Sequence, residues 1–312
     1  MTPVPTAAPT TPVALREALA GAGYVADDAL CTALHLAREL ARPMLLEGEA
    51  GVGKTEIART LAGVLDTRLI RLQCYEGLDA QHALYDWDYR RQLLAIQLAG
   101  HDAAAGTDAA SASDALYHER FLVRRPLLDA IASPEPVVLL IDEIDRADEA
   151  FEALLLEVLS DFQISIPELG TIEATSRPLV ILTSNGVREL SDALRRRCLY
   201  HYLEYPDEAK ERGIVHARLP QVDRDLVTDA VRVVQALRER GMRKTPGIAE
   251  TLDWTASLVR LGVRRLDADP DAVAASLAAL VKTREDRLLL DREEGGLSGI
   301  VATALARAPV SP

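Results

Sequence analysis

Residues 48–55, Gly48-Glu49-Ala50-Gly51-Val52-Gly53-Lys54-Thr55, fit the pattern G-x-x-x-x-G-K-[ST]. The apolar run Pro43-Met44-Leu45-Leu46 stands just before them, and Ile57, Ala58, Leu61, Ala62 and Leu65 recur at helical spacing just after. A strand, a glycine-rich turn and a helix in that order read as a phosphate-binding loop. Glycines let backbone N–H groups close around a polyphosphate, the lysine adds a point charge, the threonine hydroxyl is a magnesium ligand, and a phosphate then sits at the helix N-terminus. Lys54, Lys210, Lys244 and Lys282 are the only lysines among 35 basic residues, and one of them falls where the pattern requires lysine. A plain glycine-rich turn, the competing reading, explains neither that lysine nor the flanking elements.

Further along, Val137-Val138-Leu139-Leu140-Ile141 is too short for a buried helix and β-branched enough for a strand covered on both faces. Residues 68–74 and 179–184 read as two more strands, and residues 28–40 and 90–98 read as helices. Strands alternating with helices predict an α/β fold with a parallel sheet, whose ligands bind beyond the carboxyl ends of the strands. Lys54, Asp142 and Asn185 all fall at such ends. Residues 163–166 and 171–174 alternate in polarity around Pro167-Glu168-Leu169-Gly170, which predicts a β-hairpin. From Pro206 only helix signals remain, punctuated by Pro220, Gly241, Pro246, Gly262 and Pro270. The expected organisation is a disordered tail over 1–13, a nucleotide-binding α/β domain over 14–205, a small α-helical domain over 206–290 and a polar C-terminal tail over 291–312. Residues 100–113 are rich in Ala, Gly, Ser and Asp and read as an unstructured insertion. His101, Asp102 and His118 read as solvated side chains there, not metal ligands.

The length of 312 residues accommodates two domains, and 48% hydrophobic content is ordinary for a folded protein. A formal charge of −13 provides no global positive field, so nucleic acid is not the default partner. Cys31, Cys74 and Cys198 are widely separated and lack CxxC spacing, which fits reduced thiols in a cytoplasmic protein better than disulfides or a zinc site. No run approaches the ~20 apolar residues that cross a bilayer, so membrane insertion is not expected.

The apolar strand at 137–141 ends on Asp142-Glu143. After a phosphate loop, that pair has the form of a magnesium-holding aspartate followed by a glutamate that orients and deprotonates the attacking water. Asp145, Asp148 and Glu149 are explained more simply as acids favouring a helix N-terminus. Asn185, at the end of the next apolar strand, is suited to positioning the lytic water; its alternative role is a turn-former before Gly186. Arg195-Arg196-Arg197 read either as a solvated face or as a source of positive charge for the γ-phosphate in the transition state, supplied by a neighbouring subunit.

The order of these elements resembles the AAA+ ATPases and, within them, the MoxR-type branch. The resemblance is carried by GEAGVGKT, VVLLIDEIDRAD, the hairpin QISIPELGTIEA, ILTSN and LSDALRRRC, and it spans roughly residues 24 to 285. The stretches LIRLQCYEGLDAQHALYDWDYRRQLLAI and TPGIAETLDW are similar to the subgroup that accompanies maturation of carbon monoxide dehydrogenase and related molybdenum hydroxylases. The resemblance implies a parallel-sheet core with a C-terminal helical lid, ATP and Mg2+ as cofactors, a hexameric ring, a partner with a von Willebrand factor A domain and a metalloenzyme client. It places Gly48 through Thr55 on the nucleotide, Thr55 and Asp142 on the metal, Glu143 on the water and Asn185 as sensor 1. Arg197 takes the arginine-finger place, with Arg195 in reserve. The family's sensor 2 arginine follows a proline in the lid, whereas here Gly247 follows Pro246, leaving Arg243 and Lys244 as the nearby cations. Tyr75, Glu76 and Asp79 fall on a loop that faces the pore or substrate in that family, and are equally well ordinary loop polarity.

The expected function is therefore ATP-driven, chaperone-like remodelling that matures or activates a metalloenzyme. Two other readings stand beside it: a nucleotide-dependent docking module with little turnover, and a DNA-directed motor, which the acidic balance disfavours.

Overall fold

The computed structural model describes residues 8–102, 117–167, 169–293 and 295–306. Its strands are β1 (Met44–Gly48), β2 (Arg68–Gln73), β3 (Tyr85–Trp87), β4 (Leu122–Arg124), β5 (Val137–Asp142), β6 (Gln163–Ile166), β7 (Gly170–Glu173), β8 (Leu179–Ser184) and β9 (Leu199–Leu203). Five of them form one sheet in the order β2-β5-β8-β1-β9. The pairs β2/β5, β5/β8 and β8/β1 are parallel. All six residues of β5 are buried, which is why this strand reads as an uninterrupted apolar run rather than an alternating one. The register sets Gln73 opposite Asp142 and Glu47 opposite Ser184, so the polar residues that end these strands share one rim.

The chain divides into two compact units: Met1–Leu15, Asp28–Glu47 and Ala58–Tyr202 make one, and Arg16–Asp27, Gly48–Ile57 and Leu203–Pro312 the other. In the first, β5 and β8 pack with the helices Pro126–Ile131 and Glu149–Asp161 around Leu139, Ile141, Phe151, Leu155 and Leu182. The carboxylate of Asp148 caps the second of these helices by accepting the amide of Phe151, and Phe162 ends it in a left-handed conformation. The hairpin β6/β7 forms with its first strand as expected and its second one residue earlier, at Gly170–Glu173, with residue 168 outside the described ones.

The second unit is helical over Glu208–Arg218, Arg224–Arg238, Ile248–Arg260, Pro270–Ser276, Arg284–Arg292 and Gly296–Ala306. Leu226, Val227, Val231, Val234 and Leu237 bury one face of the long helix Arg224–Arg238 against Trp254 and Leu258. Trp254 also donates to Ser276 Oγ at 2.7 Å, which satisfies its one polar atom inside the core. The expected polar tail from residue 291 is corrected here. Residues Gly296–Ala306 form an apolar helix that buries Leu297, Ile300, Val301 and Ala304 in the same core. Gly295 and Gly296, both at positive φ, break the chain only between two packed helices. The expected tail over 1–7, most of the insertion at 103–113, and residues 307–312 lie outside the described residues.

The helix Tyr89–Asp102 runs with Gln92 inward, while Tyr89, Leu93, Leu94 and Ile96 are exposed. Among the described residues no helix is long and apolar enough to cross a membrane.

Candidate functional site

The phosphate loop leaves β1 at Gly48, where a Cβ would lie 2.3 Å from the carbonyl oxygen of Leu203, and enters a helix at Lys54. Gly51 and Gly53 take φ values of +83° and +95°, a left-handed backbone that side-chain-bearing residues adopt only at a cost. Runs of this kind turn successive N–H groups toward one face and make a nest for an anion. Lys54 is only 7% exposed, and its ammonium donates to the carbonyls of Gly48 at 2.7 Å and Glu49 at 2.8 Å. Residues 48–55 thus form a tight loop between strand and helix, with left-handed glycines and a buried lysine at the helix start. Thr55 and Asp142 offer hard oxygen donors of the kind magnesium takes.

The loop's other side is held by the helical segments of its own unit. The carbonyl of Gly51 accepts from the Ile248 amide at 2.9 Å, and that of Ala50 accepts from the Tyr205 hydroxyl at 3.1 Å. Glu56, one residue past Thr55, pairs with Arg218.

In the sheet unit, Asp142 closes β5 with 2% exposure. Its Oδ1 accepts from Thr183 Oγ1 at 2.6 Å, and its Oδ2 accepts from Arg71 through Nη2 at 2.6 Å and Nε at 3.1 Å. Thr183 Oγ1 in turn accepts the Glu143 amide at 2.9 Å, so one hydroxyl ties both acids to β8. Glu143 itself is left-handed, at φ 57° and ψ 50°, a conformation that costs a non-glycine residue roughly 1 kcal/mol. Its side chain remains one-third exposed and pairs with Arg146 at 2.8 Å.

Asp145, expected only to favour a helix start, has a larger part. It is 3% exposed, and its Oδ2 accepts the amides of Asn185 at 3.1 Å and Val187 at 2.9 Å, which fixes the loop carrying Asn185. Among the described residues its Oδ1 has no hydrogen-bond partner. Glu152 holds the same loop further along, through Arg188 and through the Ser191 amide at 2.9 Å.

Ser191 then caps the short helix Asp192–Arg197. Its C-terminal carbonyls are gripped by Arg42, which donates to Arg196 at 2.7 Å, Arg197 at 3.2 Å and Cys198 at 3.4 Å. Arg195 is turned back onto Glu47 at 2.9 Å, where Tyr200 also donates at 3.2 Å. Arg197 is exposed, and its Nε donates to the Ser160 hydroxyl at 2.8 Å.

Burial, with the charges of Asp142, Asp145 and Glu143 behind it, pushes the Cys74 thiol from 9.0 up to about 12. Burial also raises Cys198 to about 12, against the opposing pull of Arg42. In the helical unit, the amides of Arg243 and Lys244 donate to Asp286 at 2.6 and 3.1 Å. Burial alone would raise Asp286, yet bonds from Thr283 and these two amides outweigh it and leave the carboxyl below its ordinary value. Tyr75 and Glu76 are exposed, and Asp79 accepts from the amide and ring of His82, bonds that lower its carboxyl.

The family described as "AAA domain (dynein-related subfamily)" matches residues 43–198, half of the chain. The gas vesicle ATPase GvpN of Haloferax mediterranei is 25% identical over 279 residues, covering 85% of this chain and 76% of that protein. The denitrification regulatory protein NirQ of Stutzerimonas stutzeri is 26% identical over 254 residues, 75% of this chain and 82% of that protein. Among solved structures, the Thermotoga maritima RuvB Holliday junction branch migration motor aligns at 20% identity with a TM-score of 0.46, over 89% of this chain and 80% of that one.

Proposed function

The chain belongs to the dynein-related AAA domain family, and from that premise we propose that it hydrolyses ATP to drive remodelling of a protein partner. Residues Gly48–Thr55 hold the phosphates in this reading, and Thr55 and Asp142 are the protein's ligands for Mg2+. Glu143 takes a proton from water as the water oxygen attacks the γ-phosphorus. The bond to the β,γ-bridging oxygen then breaks, and ADP leaves. Asn185 orients that water, and Arg197 of a neighbouring copy neutralises the charge that develops on the transferred group.

The end of β5 carries this reading. Asp142 is sealed and fixed from both sides, whereas the next carboxylate is held in a strained conformation with a third of its surface accessible. A helix-capping role for Glu143 does not explain that arrangement, because its side chain makes no cap. Replacing Glu143 with Gln is expected to leave ATP binding intact and abolish phosphate release. Turnover at the wild-type rate in Glu143→Gln sinks the assignment, and a wild-type chain that binds ATP with no phosphate release favours the docking-module reading.

The finer proposal is a MoxR-type protein acting as a hexameric ring, with lid motion from residues 206–290, a von Willebrand factor A partner and a metalloenzyme client. Its support is the sequence resemblance, including the stretch similar to the carbon monoxide dehydrogenase subgroup, together with relatives named as an ATPase and as a regulatory protein. The outward apolar face of Tyr89, Leu93, Leu94 and Ile96 is the kind of surface that a protein-handling ATPase uses.

A further inference from the structure

Gly247 has an ordinary extended backbone, at φ −87° and ψ −173°, so its conformation does not demand glycine. Space does. A Cβ at 247 would lie 2.7 Å from the Cα of Gly51, 2.8 Å from its oxygen and 3.0 Å from its carbonyl carbon. The start of the helix Ile248–Arg260 therefore meets the phosphate loop main chain to main chain, at the point where the Ile248 amide donates to the Gly51 carbonyl at 2.9 Å.

A second brace lies beside it. The Tyr205 hydroxyl donates to the Ala50 carbonyl at 3.1 Å, and the guanidinium of Arg238 stacks 4.7 Å above the Tyr205 ring. The same arginine donates to the Pro246 carbonyl at 2.8 Å and makes two 2.7 Å bonds to Glu211, whose side chain is fully buried. Thr251 donates to Glu211 as well, at 2.7 Å. One buried ion pair thus holds both Tyr205 and the Pro246-Gly247 segment in place.

A trans peptide points its C=O and its N–H in opposite directions. Fixing the carbonyls of Ala50 and Gly51 on the helical side therefore turns the amides of Gly51 and Val52 the other way. We propose that Tyr205 and Gly247 are positioning residues of the phosphate loop, which hold the carbonyls of Ala50 and Gly51 so that the amides of Gly51 and Val52 face the polyphosphate. This inference rests on the phosphate-binding role given to residues 48–55 above. It assigns to a hydroxyl and an absent side chain the link between helical region and nucleotide that a cation after Pro246 would otherwise make.

The test is ATP and ADP binding by calorimetry, with steady-state phosphate release and thermal melting, on the full-length chain. Tyr205→Phe removes one hydrogen bond and keeps the ring under Arg238; it is expected to weaken ATP binding about fivefold, the weight of a single hydrogen bond. Gly247→Ala forces the loop backbone to move and is expected to weaken ATP at least thirtyfold, raising KM while kcat at saturation stays within threefold. Gly262→Ala places a side chain on a φ of +77° in open space, so it destabilises the same unit without touching the loop and is expected to leave ATP affinity unchanged. Wild-type ATP affinity in Tyr205→Phe overturns the proposal even if Gly247→Ala fails to fold. Equal loss of affinity in Gly262→Ala overturns it too, because the effect is then general loosening of the helical unit. A wild-type chain that binds neither nucleotide sinks the phosphate-binding reading itself.

Discussion

Removing one member of the Glu152–Arg188 pair is expected to destabilise the sheet unit unequally, depending on which partner is left behind. Glu152 is 2% exposed at its side chain, and its two oxygens serve Arg188 and the Ser191 amide. Arg188 is 33% exposed and also donates to the Ala147 carbonyl at 2.7 Å. Glu152→Ala leaves an arginine that reaches water and keeps two carbonyls, those of Ala147 and Glu189, so the loss is about 3 kcal/mol, mainly two charge-assisted hydrogen bonds discounted for rehydration. Arg188→Ala strands a carboxylate that water does not reach, and breaking a buried pair from that side costs about 4–5 kcal/mol. The double variant Glu152→Leu/Arg188→Met strands no charge and is expected to cost about 1–2 kcal/mol, well below the sum of the single losses. Native-state hydrogen exchange on peptides covering 137–142 and 179–184 reads the free energy of opening of this unit alone. Equal losses in the two single variants, or additive losses in the double one, refute the argument from differential burial.

Two further outcomes follow from the site. The thiols of Cys74 and Cys198 stay protonated in the fold up to about pH 12 but ionise from 9.0 when unfolded, so the native state holds more protons between those values and stability falls as pH rises through 9. Between pH 8 and 10 that loss is about 1.4 kcal/mol per thiol, and urea titrations should find the slope flattened in Cys74→Ala/Cys198→Ala; an unchanged slope counts against the buried thiols as its source. Arg71 neutralises Asp142 from a position 46% exposed. If Asp142 serves magnesium, Arg71→Met removes about 1 kcal/mol of screened repulsion and lowers the Mg2+ concentration for half-maximal phosphate release about fivefold, whereas a raised requirement makes Arg71 a support for the metal site instead.

The parts of this fold that were legible in the sequence are those set by neighbours along the chain. β5 announced itself because full burial on both faces demands five consecutive apolar residues, and the phosphate loop because its glycines and lysine act within eight residues of one another. The hairpin β6/β7 carried its own turn signal. What stayed hidden is set by register and by approach over long separations. Arg71 and Thr183 become anchors of Asp142 only once β2 and β8 flank β5. β9 was missed because Leu199-Tyr-His-Tyr-Leu203 has few apolar residues, and it lies at the edge of the sheet, where its pattern need not alternate cleanly. Gly247 looked like a missing arginine; its meaning, a contact too close for a side chain, exists only with Gly51 196 positions away. The Gly296–Ala306 helix was hidden by composition, since Gly, Ala and Ser dilute an apolar face that nonetheless buries four residues.

In the proposed assembly, the choice between Arg195 and Arg197 as the residue offered to a neighbouring copy turns on what each must give up. A side chain that serves another subunit needs a fixed backbone and a free end. Arg42 fixes the backbone for both, through three carbonyls at the end of the helix Asp192–Arg197, and the Leu199 amide locks the next turn by donating to the Pro43 carbonyl at 2.8 Å. Their ends differ. Arg195 is committed to the Glu47 carboxylate, its Nε is buried, and Tyr200 shares the same acceptor, so releasing it breaks a charge-assisted bond of about 1.5–3 kcal/mol and leaves Glu47 with a neutral donor only. Arg197 holds a serine hydroxyl from an exposed position, and letting go costs about 1 kcal/mol. The smaller cost favours Arg197 as the finger. Arg195 instead ties the helix to Glu47, the next-to-last residue of β1, and so braces its own unit.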